Sequence, residues 1–465
     1  MTTLLFGPFV RPDYVRGERV MRVVVVGAGE VGANIASGLA DAHEVVVVDT
    51  DPERVEAITY QLDVLAIEGD GTSLATLKEA GVEDADMLIA STDSDEANIV
   101  ACATAKTVSD AFTVARVRKT DYLTTWRGAE GAFSVDFMVC TDLLTAQSIV
   151  RIAGLPGAQD VDSFAGGRVR MAEFEVTEES TLANETVESA DRFESLTFAA
   201  ILRNGDFEIP RGDTRIEPGD KVVVIGSPES CRLFAAELTP SNGLESSDDA
   251  YVVGGSEIGY QTARLLEAQG VTPRVIERDP ERARELAEEL VGSVVLENDA
   301  TDIGFLEREH VADADLVVAA LSSDEKNLLV SLLAKRLGAK RTVAVVEDGS
   351  FVDVFETVGV DVAVNPREVT AEEITRFTRE EHTQNVAILE SDRAEVLEIE
   401  VDDESLLADR TIAEATADLP QGVVIGAITR GDDLITPRGD TVVRPGDHVV
   451  VFVETAILDE VTPQL

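Results

Sequence analysis

The chain contains itself twice. "GAGEVG" at 27–32 faces "GGSEIG" at 254–259, and "VVDTDPERVEAI" at 47–58 faces "VIERDPERAREL" at 275–286. "EDADMLIASTDSDEAN" at 83–98 faces "ADADLVVAALSSDEKN" at 312–327, and "PRGDTRIEPGDKVVVIG" at 210–226 faces "PRGDTVVRPGDHVVVFV" at 437–453. The offset stays within 227 to 229 residues throughout, so a unit of two modules has been duplicated in the order A-B-A′-B′. Both copies must reach the same fold, which constrains the chain more tightly than any single element. Its 465 residues suffice for roughly three or four compact cores, in keeping with four modules.

Module A alternates Val/Ile-rich runs with stretches of helical period. The runs "RVVVV", "HEVVVVD", "DVLAIEG", "DMLIAS", "FTVARV" and "DFMV" are the strands. Six strands separated by helices predict a doubly wound parallel sheet, so the fold class is α/β with two Rossmann-like domains. "TDLLTAQSIVRIAG" at 141–154 has helical spacing and follows the sixth strand, which makes it a connecting helix ended by Gly154 and Pro156. Module B shows alternating strands around turns, "RVRMAEFEV", "FAAILRNGDFEIP" and "DKVVVIG", with a short helix at "STLANETVES", and predicts a small α+β domain. The Gly-Asp pairs at 205–206, 212–213 and 219–220 mark chain reversals in which glycine accepts positive φ. The "RGD" triplets are therefore turns.

The expected boundaries are an extension over 1–20, Rossmann-like domain 1 over 21–140, a connecting helix over 141–158 and C-terminal domain 1 over 159–240. The second copy has its Rossmann-like domain over 249–366, its connecting helix over 367–384 and its C-terminal domain over 385–465. The extension has no periodicity and Met21 follows it directly, so it is either a disordered arm or a misassigned start.

Acidic residues outnumber basic ones 89 to 39, a net charge of −50. Such a surface repels a phosphate backbone, which argues against nucleic acid as a partner. The carboxylates are interleaved with apolar runs and 44% of residues are hydrophobic, which suits a folded protein of a salty cytoplasm. No apolar run approaches the roughly 20 residues of a bilayer span and no signal pattern opens the chain, so a soluble, cytoplasmic protein is expected. Cys102, Cys140 and Cys231 lack metal-like or disulfide-like spacing and are expected in the core.

The first glycine turn sits where a ligand would use it. It follows a strand, opens a helix and is followed, 17 residues after Gly32, by Asp49 at the end of strand two. Gly27 makes the turn, Gly29 lets backbone approach a pyrophosphate, Gly32 lets helix and strand pack, and the helix N-terminus favours an anion. Asp49 is placed to take both ribose hydroxyls and would repel a 2′-phosphate, so NAD or NADH is favoured over NADP, while ADP or ATP also fit. A glycine turn that holds nothing is the competing reading, and it weighs more on the second copy. "GDGTS" at 69–73 and "STDSDEAN" at 91–98 reach the same sheet edge. Asp93, Asp95 and Glu96 suggest either a metal site or, more simply, carboxylates at a helix N-terminus. Arg116 ends strand five as a phosphate contact or an ion pair. No Walker, GxSxG or HExxH sequence occurs, and His43, His310, His382 and His448 lie apart without evident partners. Modules B and B′ offer no acid/base constellation beside a nicotinamide, so binding without chemistry is expected, and no enzyme.

With these segments in this order, the chain resembles the TrkA family, peripheral subunits of the Trk potassium uptake system built from tandem RCK (also called KTN) domains. The resemblance covers residues 21 to about 460 and rests on "MRVVVVGAGEVGANIASGLA", "EGDGTSLATLKEAGVEDADMLIASTDSDEANIVAC", "TVARV" and the two "RGDT…PGD" segments. It implies a regulator that binds NAD(H), with ATP or ADP as further candidates. It also implies assembly as a homo-oligomeric ring beneath a TrkH-type membrane subunit that translocates potassium. Carried over by position, the nucleotide contacts fall on Gly27, Ala28, Gly29, Glu30, Val31 and Gly32, on Asp49, Asp70 and Thr92, and on Arg116. In the second copy they fall on Gly254, Gly255, Ser256, Glu257, Ile258 and Gly259, and on Glu277 and Asp299. Two departures stand out there: Ser256 replaces the middle glycine and Val345 stands where Arg116 stands in the first copy. A free-standing metabolite sensor and an NAD-dependent oxidoreductase are the alternatives.

Overall fold

The computed structural model describes residues 20–465 except 41, 130, 156, 179, 204–205, 239–248, 380–382, 390–392 and 432. The expected N-terminal extension, up to residue 19, and His382 lie outside the described residues. The chain divides into two compact units, one holding both Rossmann-like sheets and the other holding both C-terminal modules.

The first half begins with β1 (Arg22–Val26), β2 (Glu44–Asp49), β3 (Leu65–Glu68), β4 (Met87–Ala90), β5 (Phe112–Val117) and β6 (Phe137–Cys140). Its helices are α1 (Glu30–Ala40), α2 (Pro52–Gln61), α3 (Leu74–Glu79), α4 (Asp95–Ala105), α5 (Thr120–Gly128) and α6 (Thr141–Ala153). The strands are parallel in the order β3-β2-β1-β4-β5-β6, the doubly wound topology expected. β1, β4 and β5 have nearly every residue buried because helices cover both faces, which is why they read as unbroken apolar runs rather than alternating ones. Cys102 and Cys140 are buried in this core, and burial pushes the Cys140 thiol up to about 12.

The first C-terminal module contains β7 (Ala158–Phe164), β8 (Val169–Glu175), α7 (Val187–Ala190), β9 (Leu196–Arg203), β10 (Asp206–Glu208), β11 (Lys221–Gly226) and α8 (Pro228–Leu238). Its strands form an antiparallel sheet in the order β10-β9-β11-β8-β7. β7 and α8 were not anticipated. β7 follows the connecting helix closely and carries Asp and Gln between its apolar residues, while the helix expected across "STLANETVES" is confined to its last residues.

The second half repeats the pattern with β12 (Ala250–Val253), β13 (Arg274–Glu277), β14 (Val294–Glu297), β15 (Leu316–Ala319), β16 (Thr342–Val345) and β17 (Val362–Val364). Between and after them run α9 (Glu257–Ala268), α10 (Pro280–Glu289), α11 (Ile303–Arg308), α12 (Asp324–Leu337), α13 (Val352–Thr357) and α14 (Pro366–Arg379). The order β14-β13-β12-β15-β16-β17 matches that of the first sheet. The last module has β18 (Thr383–Leu389), β19 (Ala394–Glu400), α15 (Ile412–Thr416), β20 (Val423–Arg430), β21 (Asp433–Ile435), β22 (His448–Glu454) and α16 (Leu458–Val461), with sheet order β18-β19-β22-β20-β21.

The two C-terminal sheets share one apolar core, in which Phe164, Met171, Val223 and Ile225 meet Leu389, Val396, Val450 and Phe452. A Cβ at Gly426 would sit 2.5 Å from Ile225, so glycine is what lets the strands approach. The Gly-Asp turns do more than reverse the chain. Gly219 and Gly446 have φ of +89° and +83°, whereas Gly212 and Gly439 show no left-handed φ and need none. Asp220, 1% exposed, accepts from Arg203 Nε and Nη2 at 2.8 and 2.7 Å and from Glu217 N at 2.7 Å. Asp447 does the same with Arg430 and Arg444 N. Each is a buried bidentate lock on the turn. Among the described residues no helix is long and apolar enough to cross a membrane.

Candidate nucleotide-binding cleft

At the carboxyl edge of the first sheet lies a cleft of about 490 Å³. Gly27 leaves β1 with φ +106° and donates to Val48 O at 2.7 Å. A Cβ on Gly32 would be driven into Gly27 O, so α1 can start against the turn only with glycine there. Gly29 is different. A Cβ built on it meets only the tip of Arg54, at 3.4 Å, so nothing in the protein's own packing requires glycine at that point. The open space in front of it belongs to the cleft, and Gly29 has no side chain to cap the amides of the first turn.

Asp49 ends β2 and is 9% exposed. Its Oδ2 accepts from Ala28 N at 2.6 Å and its Oδ1 from Asp51 N at 2.8 Å, so the carboxylate braces the turn as well as facing the cleft. Arg54 Nη1 lies 4.0 Å from Asp49 Oδ2. Asp70 Oδ1 accepts from Thr72 Oγ1 and N at 2.7 and 2.9 Å, which holds its carboxyl below the usual carboxylate range. Of the first-half residues singled out in the sequence, Gly27, Gly29, Glu30, Val31, Asp49, Asp70, Thr92 and Arg116 line this one cleft. Ala28 and Gly32 shape the turn from behind.

Arg116 is 4% exposed, and its Nε donates to Thr141 Oγ1 at 3.0 Å. Its Nη1 reaches only 3.5 Å from Ser91 O, Thr92 O and Asp93 Oδ1. Burial lowers its pKa, Asp93 opposes that, and neighbouring Arg118 and Arg367 add to it. A desolvated guanidinium with long contacts, facing a cleft, suits an anion. Among the described residues no group of three or more carboxylate, histidine or cysteine side chains is placed to hold a metal ion. Asp95 and Glu96 do sit in the first turn of α4, where negative charge favours the helix dipole. The N-cap is Ser94, whose Oγ accepts from Ala97 N at 3.1 Å, while Asp95 accepts from Arg118 N and Lys119 N beyond β5.

Two contributors escaped the sequence reading. Asn98, wholly buried, accepts from Thr92 N and Oγ1 at 2.9 and 2.6 Å and donates to Thr92 O and Arg116 O, tying together the loops after β4 and β5. Asn327 braces the second half in the same way through Leu321 and Val345 O. Recurrence of this asparagine at the same place in both copies was a signal available in the sequence. The other is Arg367 of α14, which lines the first-half cleft and pairs with Glu30 Oε2 at 2.8 Å. No local pattern announces it.

The second turn has the same frame and a different interior. Gly254 has φ +107°, and a Cβ on Gly259 would strike Gly254 O. Glu277 accepts from Gly255 N and Asp279 N at 2.7 Å each, as Asp49 does in the first turn. Asp299 accepts from Thr301 as Asp70 does from Thr72. Ser256 Oγ, however, donates to Ala320 O at 2.7 Å and accepts from Gly259 N at 3.2 Å, making Ser256 the N-cap of α9. Arg282 Nε donates to Gly255 O at 2.9 Å. Ile258 is buried in the core, and Glu257 Oε1 accepts from Thr120 Oγ1 at 2.9 Å. At the chain position that matches Arg367 stands Asp142, whose carboxyl burial pushes up to about 6 against the pull of Arg118, with the charge of Glu257 adding to the rise.

A doubly wound sheet whose glycine turn and acidic strand end meet at its carboxyl edge defines a Rossmann-type domain, present here twice, with a buried arginine beside the turn in the first copy only. The TrkA-N domain matches residues 23–135 and 250–366 and the TrkA-C domain matches 171–239 and 396–465, and the chain belongs to the TrkA family. It is 38% identical over 435 residues to the Trk system potassium uptake protein TrkA homolog of Archaeoglobus fulgidus, covering 93% of this chain and 97% of that one. It is 36% identical over 449 residues to TrkA homolog 1 of Methanosarcina mazei, covering 95% and 99%. With the Trk system potassium uptake protein TrkA of Halomonas elongata it shares 35% over 448 residues, covering 93% and 96%. Among solved structures, the GsuK RCK domain superposes with TM-score 0.59 at 19% identity, covering 98% of this chain and 97% of that one. The GsuK channel bound to NAD gives 0.57 at 19%, covering 99% and 82%. These two share the fold.

Proposed function

We propose that the chain is the regulatory subunit of a Trk-type potassium uptake system and senses NAD(H) in its first-half cleft. The observation that carries this reading is Gly29: the protein's own packing leaves its space open, beside the turn and Asp49, where a pyrophosphate and a ribose would lie. Bound there, a dinucleotide would supply two phosphates and a ribose diol, and no bond need be made or broken. The amides after Gly29 and the Arg116 guanidinium hold the phosphates. The lone pairs of Asp49 not already used by Ala28 and Asp51 take the ribose hydroxyls, and its charge rejects a 2′-phosphate. ADP or ATP offers the same turn a diphosphate and a ribose.

Relatives at 35–38% identity carry the name Trk system potassium uptake protein, which supports the transport role. Regulation then follows from differential binding: a nucleotide that prefers one arrangement of a homo-oligomeric ring shifts the ring toward it and so acts on a TrkH-type membrane subunit at the cytoplasmic face. The test is calorimetry with NADH in molar KCl, alongside potassium uptake in a deletion strain complemented by each variant. Wild type is expected to bind and to restore regulated uptake, and Gly29→Val is expected to lose both. Equal NADH binding by the two proteins would remove the cleft from consideration.

A further inference from the structure

We propose that Arg367, supplied by the second half of the chain, is a phosphate-binding residue of the first-half cleft, held by Glu30 until a nucleotide phosphate takes that carboxylate's place. The inference rests on the reading that this cleft takes the nucleotide.

Every other residue lining the cleft belongs to the first half, between Val26 and Arg116. Arg367 enters from the first turn of α14, and its Nη1 pairs with Glu30 Oε2 at 2.8 Å. Asn365 Nδ2 lies 3.4 Å from Glu30 Oε1, so two groups from the second half hold the carboxylate that opens α1. The Glu30 and Arg367 side chains are 30% and 33% exposed, which makes theirs a water-accessible pair of small net strength. A phosphate lodged against the α1 N-terminus would offer the same guanidinium a doubly accepting anion in a drier place, a stronger partner. Arg116 and Arg367 already feel each other across the cleft, and an anion between them relieves that repulsion.

The handover would also report occupancy to the second half. Arg116 Nε donates to Thr141 Oγ1, and Thr370 Oγ1, one turn along α14 from Arg367, lies 3.0 Å from the same hydroxyl. Both arginines are thus joined to one contact between α6 and α14. The arrangement works in one direction only, because Asp142 stands at the chain position that matches Arg367, and Val345 at the one that matches Arg116.

The test uses the full chain in molar KCl, with NAD affinity measured by calorimetry and adenosine binding by ligand-observed NMR. Arg367→Gln is expected to weaken NAD about 10-fold or more while leaving adenosine unchanged, since a charge-assisted contact to phosphate alone is lost. Arg367→Lys should recover part of the loss. Glu30→Gln, which leaves the arginine in place and removes its competitor, should tighten NAD roughly 3-fold, a gain that misfolding cannot produce. If Arg367→Gln binds NAD like wild type while Gly29→Val does not, the role of Arg367 is overturned and the nucleotide cleft stands. Equal loss of NAD and adenosine in Arg367→Gln overturns its role as a phosphate ligand. Failure of wild type itself to bind NAD and ADP overturns the cleft reading and this inference together.

Discussion

Two glycines of one turn should fail in opposite ways. In Gly32→Ala the new Cβ is driven into Gly27 O and lies 2.9 Å from Gly27 C. Both are backbone atoms of a residue already held at φ +106°, so no side-chain rotation relieves the clash and α1 must move off the sheet. Overpacking costs about 1–3 kcal/mol, and a backbone clash belongs at the upper end, about 3 kcal/mol. For a cooperative unit of 150–250 residues that lowers Tm by roughly 6–12 °C. In Gly29→Ala the Cβ meets only Arg54 Nη1 at 3.4 Å, the end of a mobile side chain, and the backbone is outside the left-handed region. Stability should therefore change by less than about 1 kcal/mol. The methyl instead stands where a pyrophosphate would meet backbone amides, and losing such charged hydrogen bonds weakens binding about 10- to 150-fold. Thermal unfolding and NADH calorimetry in molar KCl separate the two effects. Equal Tm losses in both variants would refute the packing argument. Undiminished NADH binding by Gly29→Ala would refute the placement of the pyrophosphate.

Asp142 should make a pH-dependent contribution to stability: its folded pKa of about 6 exceeds the reference 3.8, so the folded state holds the proton more tightly and stability is lost as pH rises from about 4 to about 6. The Tm advantage of Asp142→Asn over wild type should grow across that window, by the equivalent of about 3 kcal/mol, and a constant difference would contradict it. Ser256→Gly removes the α9 cap at a cost of a few tenths of a kcal/mol and should not create a second nucleotide site, because Asp142 and Val345 remain; titration to two nucleotides per chain would disprove this. With a net charge of −50, Tm should fall as KCl is withdrawn, and a melt indifferent to molar salt would count against screening as a stabiliser.

Much of the candidate cleft was legible because its parts are local in the chain. A strand, a turn and a helix start within a dozen residues, and each glycine's task there is set by its neighbours, as Gly27 and Gly32 show. Asp49 follows from the βαβ unit, whose length fixes where the second strand ends. Duplication supplies an internal comparison, so the replacements Ser256 and Val345 stand out against Gly29 and Arg116 in the sequence itself. Strand β7 was lost because its polar residues blur the period on which such readings depend, and α8 went unnoticed beside the hairpin pattern.

The amino-acid order by itself determined the duplication, the two doubly wound sheets, the glycine turns and the acidic residue that ends each second strand, because periodicity and turn chemistry act over a few residues. Tertiary structure alone decided that Ser256 closes its own helix, that Asp220 and Asp447 are locked by Arg203 and Arg430, and that the two copies differ in what faces the nucleotide turn. Arg367 of the second half reaches Glu30 across 337 positions, and its first-half counterpart is Asp142, a residue of opposite charge. A side chain's partner at that separation is set by how the two halves pack, a relation that carries no period in the chain.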